Sequence, residues 1–122
     1  IAAEQISTLV DLTLPFHEPA EAGRGFHMLC EYIEEHRSLW STLLNGGAGA
    51  AMREEWLHRA RIVSETREPV GSWLPKELGT ICSVALIVEI VSWWLKQPQS
   101  AYSSTQISAI LHRVVTSSVL AP

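Results

Sequence analysis

Apolar residues recur along this chain at intervals of three and four, and the breaks between runs come at helix length. Side chains three and four apart share one face of an α-helix, whereas the every-second-residue alternation of a half-buried strand is nearly absent. The pattern predicts an all-α fold of about six helices. The first run, residues 2 to 14, aligns Ile6, Leu9, Val10 and Thr13 and stops before Pro15; LPFHEP, with Pro15 and Pro19, then reads as a connector. From about Ala20 to His36, Phe26, Leu29, Cys30 and Ile33 form a stripe with Glu31, Glu34 and Glu35 outside it. Ser38 stands where it could cap a short helix carrying Leu39, Trp40, Leu43 and Leu44, which the NGG at 45 to 47 ends through left-handed conformations. Another helix runs from near Ala48 to about Glu68, with Met52, Trp56, Ala60 and Val63 on its stripe and Glu55 four positions before Arg59.

Residues 77 to 95, ELGTICSVALIVEIVSWWL, are apolar around nearly the whole circumference of a helix. Leu78, Cys82, Ala85, Glu89 and Ser92 share one face, while Val84, Ile87, Val91 and Trp94 lie opposite. In water such a helix has to be covered on every side: one face suits a domain core, and the other wants a partner. EPVGSWLP, residues 68 to 75, is the break before it, with Pro75 where a helix can begin, and Pro98 forbids continuation beyond about Lys96. Ser103 and Gln106 form a capping box for a last helix that carries Ile107, Ile110, Leu111, Val114, Val115 and Ser118 on one face.

These last two helices, joined by a short turn, predict an antiparallel hairpin. A two-fold axis that pairs the hairpin with its own copy would build a four-helix bundle across a homodimer. The predicted interface comprises Cys82, Ala85, Glu89 and Ser92 with Ile107, Ile110, Leu111, Val114, Val115 and Ser118. The alternative is that the upstream helices cover both faces within one chain.

Composition narrows the class. The chain has 122 residues, 47% hydrophobic and 18% charged, which suits one domain with a usable core and excludes low-complexity disorder. A net charge of −4 and a pI near 5.7 supply no positive field to gather phosphates. Cys30 and Cys82 both fall inside apolar helical patterns, so they read as buried free thiols in a reducing cytosol. No signal-like segment opens the chain, and the apolar run from Leu78 to Leu95 is near the minimum for a bilayer span and is interrupted by Thr80, Ser83, Glu89 and Ser92. The expected location is cytoplasmic, with no membrane partner.

Catalytic signatures are missing from the sequence. It contains no G-x-S-x-G, P-loop or G-x-G-x-x-G, and GGAGA at 46 to 50 has no preceding strand. His27 and Cys30 could face the same side of a helix, but two ligands do not close a zinc site, and neither HExxH nor CxxC occurs. His17, His36, His58 and His112 sit beside Glu or Arg and read as surface residues. The expectation is a protein that is not an enzyme and holds no metal or cofactor. A small-molecule pocket between helices would be mostly apolar and aromatic, and its candidates are Phe26, Cys30, Ile33, Trp40, Met52 and Trp56 with Leu86 and Trp93 from the apolar helix. Ordinary core packing would use the same residues, although five tryptophans make an aromatic-lined cavity plausible. Glu89, an acid amid VALIVEIVSWW, needs a partner: a ligand's amine or hydroxyl, or Arg113, Ser92 or a symmetry-related group at a dimer seam.

The order of these features resembles the C-terminal domain of TetR-family transcriptional regulators. The segments that carry the resemblance are EYIEEHRSLWSTLL, 31 to 44, and LIVEIVSWWLKQPQSAYSSTQISAIL, 86 to 111, and with the helix between them it covers roughly residues 20 to 118. The resemblance implies a homodimer whose C-terminal helices dimerise and bind a small-molecule effector. It also implies a helix-turn-helix domain, upstream of this segment, that binds operator DNA. That reading head is not among these residues, because Arg24, Arg37, Arg53, Arg59, Arg61 and Arg67 are spread among acids instead of lining a recognition helix. Residues 1 to 19 would be the end of a connecting helix and its linker, residues 20 to 122 the regulatory domain, and the start at Ile1 fits a chain whose beginning lies upstream. The rival from another class is a helical scaffold that seats an amphipathic partner helix and has no role on DNA.

Overall fold

The computed structural model describes residues 19–65 and 73–118, and within them the chain forms five α-helices and no strand. We number them α1 (Pro19–Glu35), α2 (Arg37–Asn45), α3 (Gly49–Glu65), α4 (Lys76–Leu95) and α5 (Ser104–Ser118). The helix expected over residues 2 to 14 lies outside the described residues, as does the end of the one expected to reach Glu68.

The boundaries follow local chemistry. Ser103 and Gln106 close the expected capping box: the Gln106 amide N–H donates to Ser103 Oγ at 3.1 Å, and the Ser103 amide N–H donates to Gln106 Oε1 at 2.8 Å. Pro75 precedes the first residue of α4, where its missing N–H costs no helical hydrogen bond. Two expectations are corrected. Ser38 is not a cap, because α2 already begins at Arg37 and the chain turns the corner at His36 with no side-chain cap at all. His36 leaves the helical path, with φ −122° and ψ 36°, yet its backbone groups stay paired: the His36 N–H donates to Ile33 O and the Trp40 N–H to His36 O, both at 3.1 Å. Nor does α2 end in a left-handed residue, since Gly46 has φ −88° and ψ −169°. Glycine is required at this position for space, because a Cβ on Gly46 would lie 2.4 Å from the Thr42 carbonyl oxygen, and one on Gly49 would lie 2.5 Å from that of Leu44.

Packing divides the helices into two contacting pairs with α2 as the filler. α1 lies along α5 in the most extensive helix contact, α3 lies along α4, and α2 packs against both α3 and α4. The core unites Phe26, Leu29, Cys30 and Ile33 of α1, Trp40 and Leu44 of α2, Met52, Trp56 and Ala60 of α3, Val84, Ile87, Val88, Val91, Trp94 and Leu95 of α4, and Ile107, Leu111 and Val115 of α5. On α4 the face of Val84, Ile87, Val91 and Trp94 is buried, while Leu78, Ala85, Glu89 and Trp93 face solvent and Cys82, Leu86 and Ile90 are half-buried. Among the described residues α4 is the one helix long and apolar enough to cross a membrane, and 44% of its most apolar window is buried inside the chain. That is the behaviour of a core helix with one side left open.

Candidate functional site

The open side of α4 and the neighbouring side of α5 form a groove of about 210 Å³ lined by Glu89, Ile90 and Trp93 from α4 and Ile107 and Ile110 from α5. Its walls are apolar apart from the Glu89 carboxylate. Ile107 is fully buried and makes the floor, whereas Trp93 and Ile110 stand at the rim, 46% and 41% exposed. The Trp93 ring is steadied by Tyr102, whose ring centre is 5.2 Å away in the turn between the two helices. The groove exists because α5 gives the Ile107, Leu111 and Val115 stripe to the core, which leaves Ile110 pointing outward beside α4.

Glu89 finds its partner on α3. The Arg53 guanidinium forms an ion pair with Glu89 and donates a second hydrogen bond to Ser92 Oγ at 3.1 Å, and Asn45 Nδ2 donates to the Ser92 carbonyl oxygen at 3.2 Å. The charged rim of the groove is therefore anchored to α2 and α3 as well as α4. Sequence reasoning missed Arg53, which lies 36 positions from Glu89 and carries no local signal of that pairing.

The ten residues expected at an interface divide by depth. Ala85, Glu89 and Ile110 are exposed, Cys82 and Val114 are half-buried, and Ser92, Ile107, Leu111 and Val115 are buried within the chain; the side chain of Ser118 lies outside the described set. Trp93, expected in the pocket, lies instead on the open side of α4, and half-buried Leu86 is seven positions before it on the same side.

The other six pocket candidates, Phe26, Cys30, Ile33, Trp40, Met52 and Trp56, are all buried in the single core. Trp40 sits between two aromatic neighbours, Tyr32 at 6.4 Å and Trp56 at 6.3 Å between ring centres, the first edge-on. Burial pushes the Cys30 thiol up to about 12, so it stays protonated and is neither a nucleophile nor a metal ligand at neutral pH. Trp94 Nε1 donates to the Tyr102 carbonyl oxygen at 3.1 Å, but the buried Trp40 Nε1 has no hydrogen-bond partner among the described residues. Among the described residues no three His, Cys, Asp or Glu side chains gather where they could hold a metal ion, and His27 pairs with Glu31 at 2.8 Å. The chain matches no protein-family model, no curated protein and no solved structure.

Proposed function

We propose that this chain is the regulatory half of a TetR-like transcriptional regulator, most simply a cytoplasmic repressor, which pairs with a second copy through the open side of α4 and α5 and senses a small, largely apolar or aromatic effector. The observation that carries this reading is the groove between Trp93 and Ile110, a solvent-facing apolar surface on two adjacent helices whose other sides are already spent on the core. Two such helix pairs meeting about a two-fold axis make a four-helix bundle, in which the rim residues of each copy fill the recess of the other. Permanent homodimer interfaces bury on the order of 2,000 Å² or more. Leu78 and Ala85 extend the exposed apolar surface along α4 beyond the groove itself, which supports an occupant of helical length.

In this reading the DNA-binding heads belong to sequence preceding Ile1, and the effector enters the core that α1, α2 and α3 share. That core and the groove lie on opposite sides of α4. An effector that shifts α4 changes how the two copies meet, and with it the spacing of the heads on an operator. Effector and operator then oppose each other through a coupling of about 1 to 3 kcal/mol.

Sedimentation equilibrium tests the central claim. The chain is expected to be a dimer at micromolar concentration, and Trp93→Glu combined with Ile110→Glu, both at exposed positions, is expected to give a folded monomer. A wild-type chain that stays monomeric removes the basis for this reading and leaves the helical-scaffold alternative.

A further inference from the structure

Trp40 occupies the middle of α2, is fully buried, and carries an indole N–H with no acceptor among the described residues. A buried donor left unpaired costs free energy that a native fold ordinarily avoids, as the Trp94 indole does through the Tyr102 carbonyl. The flanking rings of Tyr32 and Trp56 shape the space around Trp40 into an aromatic wall, and neither accepts its hydrogen bond. Among the described residues no ionised side chain is fully buried in this core, and the part-buried Arg37 on the same helix is bound to Glu34 and to the end of α4. Buried polar residues among those described are Thr80, Ser92 and Ser108, none of them ionisable, and Cys30 is held protonated by its burial. Several charges on these helices are paired away from it: Glu34 with Arg37, Arg53 with Glu89, Glu55 with Arg59.

The helix that carries Trp40 is short and is tied to α4 at both ends, by Arg37 to the Trp94 and Gln97 carbonyl oxygens and by Asn45 to the Ser92 carbonyl oxygen. α2 is nine residues long, begins at a corner with no side-chain cap, and ends at the Gly46–Gly47 turn.

We infer that the core between α1, α2 and α3 takes a neutral aromatic molecule bearing one hydrogen-bond acceptor, a ketone or ester carbonyl, whose oxygen receives the Trp40 Nε1–H. The inference rests on the effector-sensing half of the reading above and gives that effector a chemical class. A carboxylate or an ammonium ion would enter with no counter-charge to meet it, and a pure hydrocarbon would leave the indole as unpaired as it is now.

Two probes of nearly the same shape separate these cases: 2-acetylnaphthalene offers a carbonyl oxygen where 2-isopropenylnaphthalene has a methylene group. By equilibrium dialysis the ketone should bind the chain about five- to thirty-fold more tightly than the alkene, the range expected when a buried donor gains its acceptor. In Trp40→Phe, which keeps an aromatic ring and loses the N–H, the two probes should bind alike. Wild-type protein gives an independent readout should that variant fold poorly: with ¹⁵N-labelled tryptophan, one indole N–H resonance should move downfield with the ketone and stay in place with the alkene. Equal binding of the two probes, binding of neither, or a preference that survives Trp40→Phe would overturn the inference. Sedimentation of the same samples keeps the two claims apart. A dimer indifferent to both probes sinks this inference alone, and a monomer that prefers the ketone sinks the dimeric reading alone.

Discussion

The Arg37 guanidinium lies 5.4 Å from the centre of the Trp94 ring and donates to the Trp94 carbonyl oxygen at 3.0 Å and the Gln97 carbonyl oxygen at 2.9 Å. Those carbonyls are at the C-terminal end of α4, where helical acceptors run out of donors, so a cation from the α1–α2 corner finishes the helix that carries the groove. Glu34 holds the same guanidinium at 3.1 Å, and the arginine side chain is only 13% exposed. Removing it takes this donor from the Gln97 carbonyl and the Glu34 carboxylate, while the Trp94 carbonyl keeps the Gln97 N–H at 3.0 Å.

Arg37→Ala is accordingly expected to lower the unfolding free energy by about 2 to 3 kcal/mol, the range for losing charged hydrogen bonds at a partly buried site. Arg37→Lys should recover less than half of that loss, because an ammonium ion cannot span both carbonyls and the carboxylate with a planar fork or lie flat on the indole. Urea denaturation measures both. A lysine variant as stable as the wild type would show that charge alone matters at this corner.

Gly46 and Gly47 adjoin in sequence and differ in surroundings. A Cβ at position 46 would meet a backbone oxygen at 2.4 Å, while one at position 47 would meet nothing within 4 Å. Gly46→Ala should destabilise the chain by about 1 to 3 kcal/mol, because backbone has to move, and Gly47→Ala should change stability by no more than about 1 kcal/mol in either direction. Thermal melts of the two variants side by side decide it, and equal costs would contradict the tight α2–α3 turn.

Cys30 makes stability depend on alkaline pH. Its thiol is raised by burial from 9.0 to about 12. Between those values the unfolded chain loses this proton and the folded chain keeps it, so the contribution of the protonated thiol is fully present below pH 9 and falls as pH climbs towards about 12. Other groups titrate in the same window, so the check is a difference: Cys30→Ala should be less stable than the wild type at pH 8 and lose stability less steeply from pH 9 to 11. Parallel curves would mean that the thiol is solvated in the folded state.

Features local in the sequence were legible in it, and those that depend on how helices cross were not. The three-four period located all five described helices, and the Ser103–Gln106 box and the Glu55–Arg59 pair at 3.0 Å formed as their spacing requires. A helical wheel shows which residues share a face and is silent on what the face meets. The stripe of Ile107, Leu111 and Val115 could serve a second copy or the chain's own α1, and the close packing of α1 on α5 takes it for the core. For the same reason Arg37 and Arg53 read as ordinary surface charges, although their partners lie 57 and 36 positions away. Trp40 was legible as a buried aromatic residue; its unpaired N–H depends on the placement of every neighbouring acceptor, which no spacing rule encodes.

Glu89 allows the groove to be probed without disturbing the core. Its side chain is 71% exposed at the rim, beside the Arg53 guanidinium. Exposed ion pairs contribute about 0 to 1 kcal/mol, so Glu89→Lys should leave the stability of the single chain within about 1 kcal/mol of the wild type. Self-association should respond far more. Lysine at that position places a second cation against Arg53, and if two copies meet across this face, a two-fold axis brings four positive charges to one apolar seam, where they are poorly hydrated. Sedimentation should show Glu89→Lys as a monomer whose circular dichroism matches the parent. Pairing it with Arg53→Glu restores an ion pair of reversed polarity and should return most of the association. Wild-type association in Glu89→Lys alone would place any contact between copies somewhere other than the α4–α5 groove.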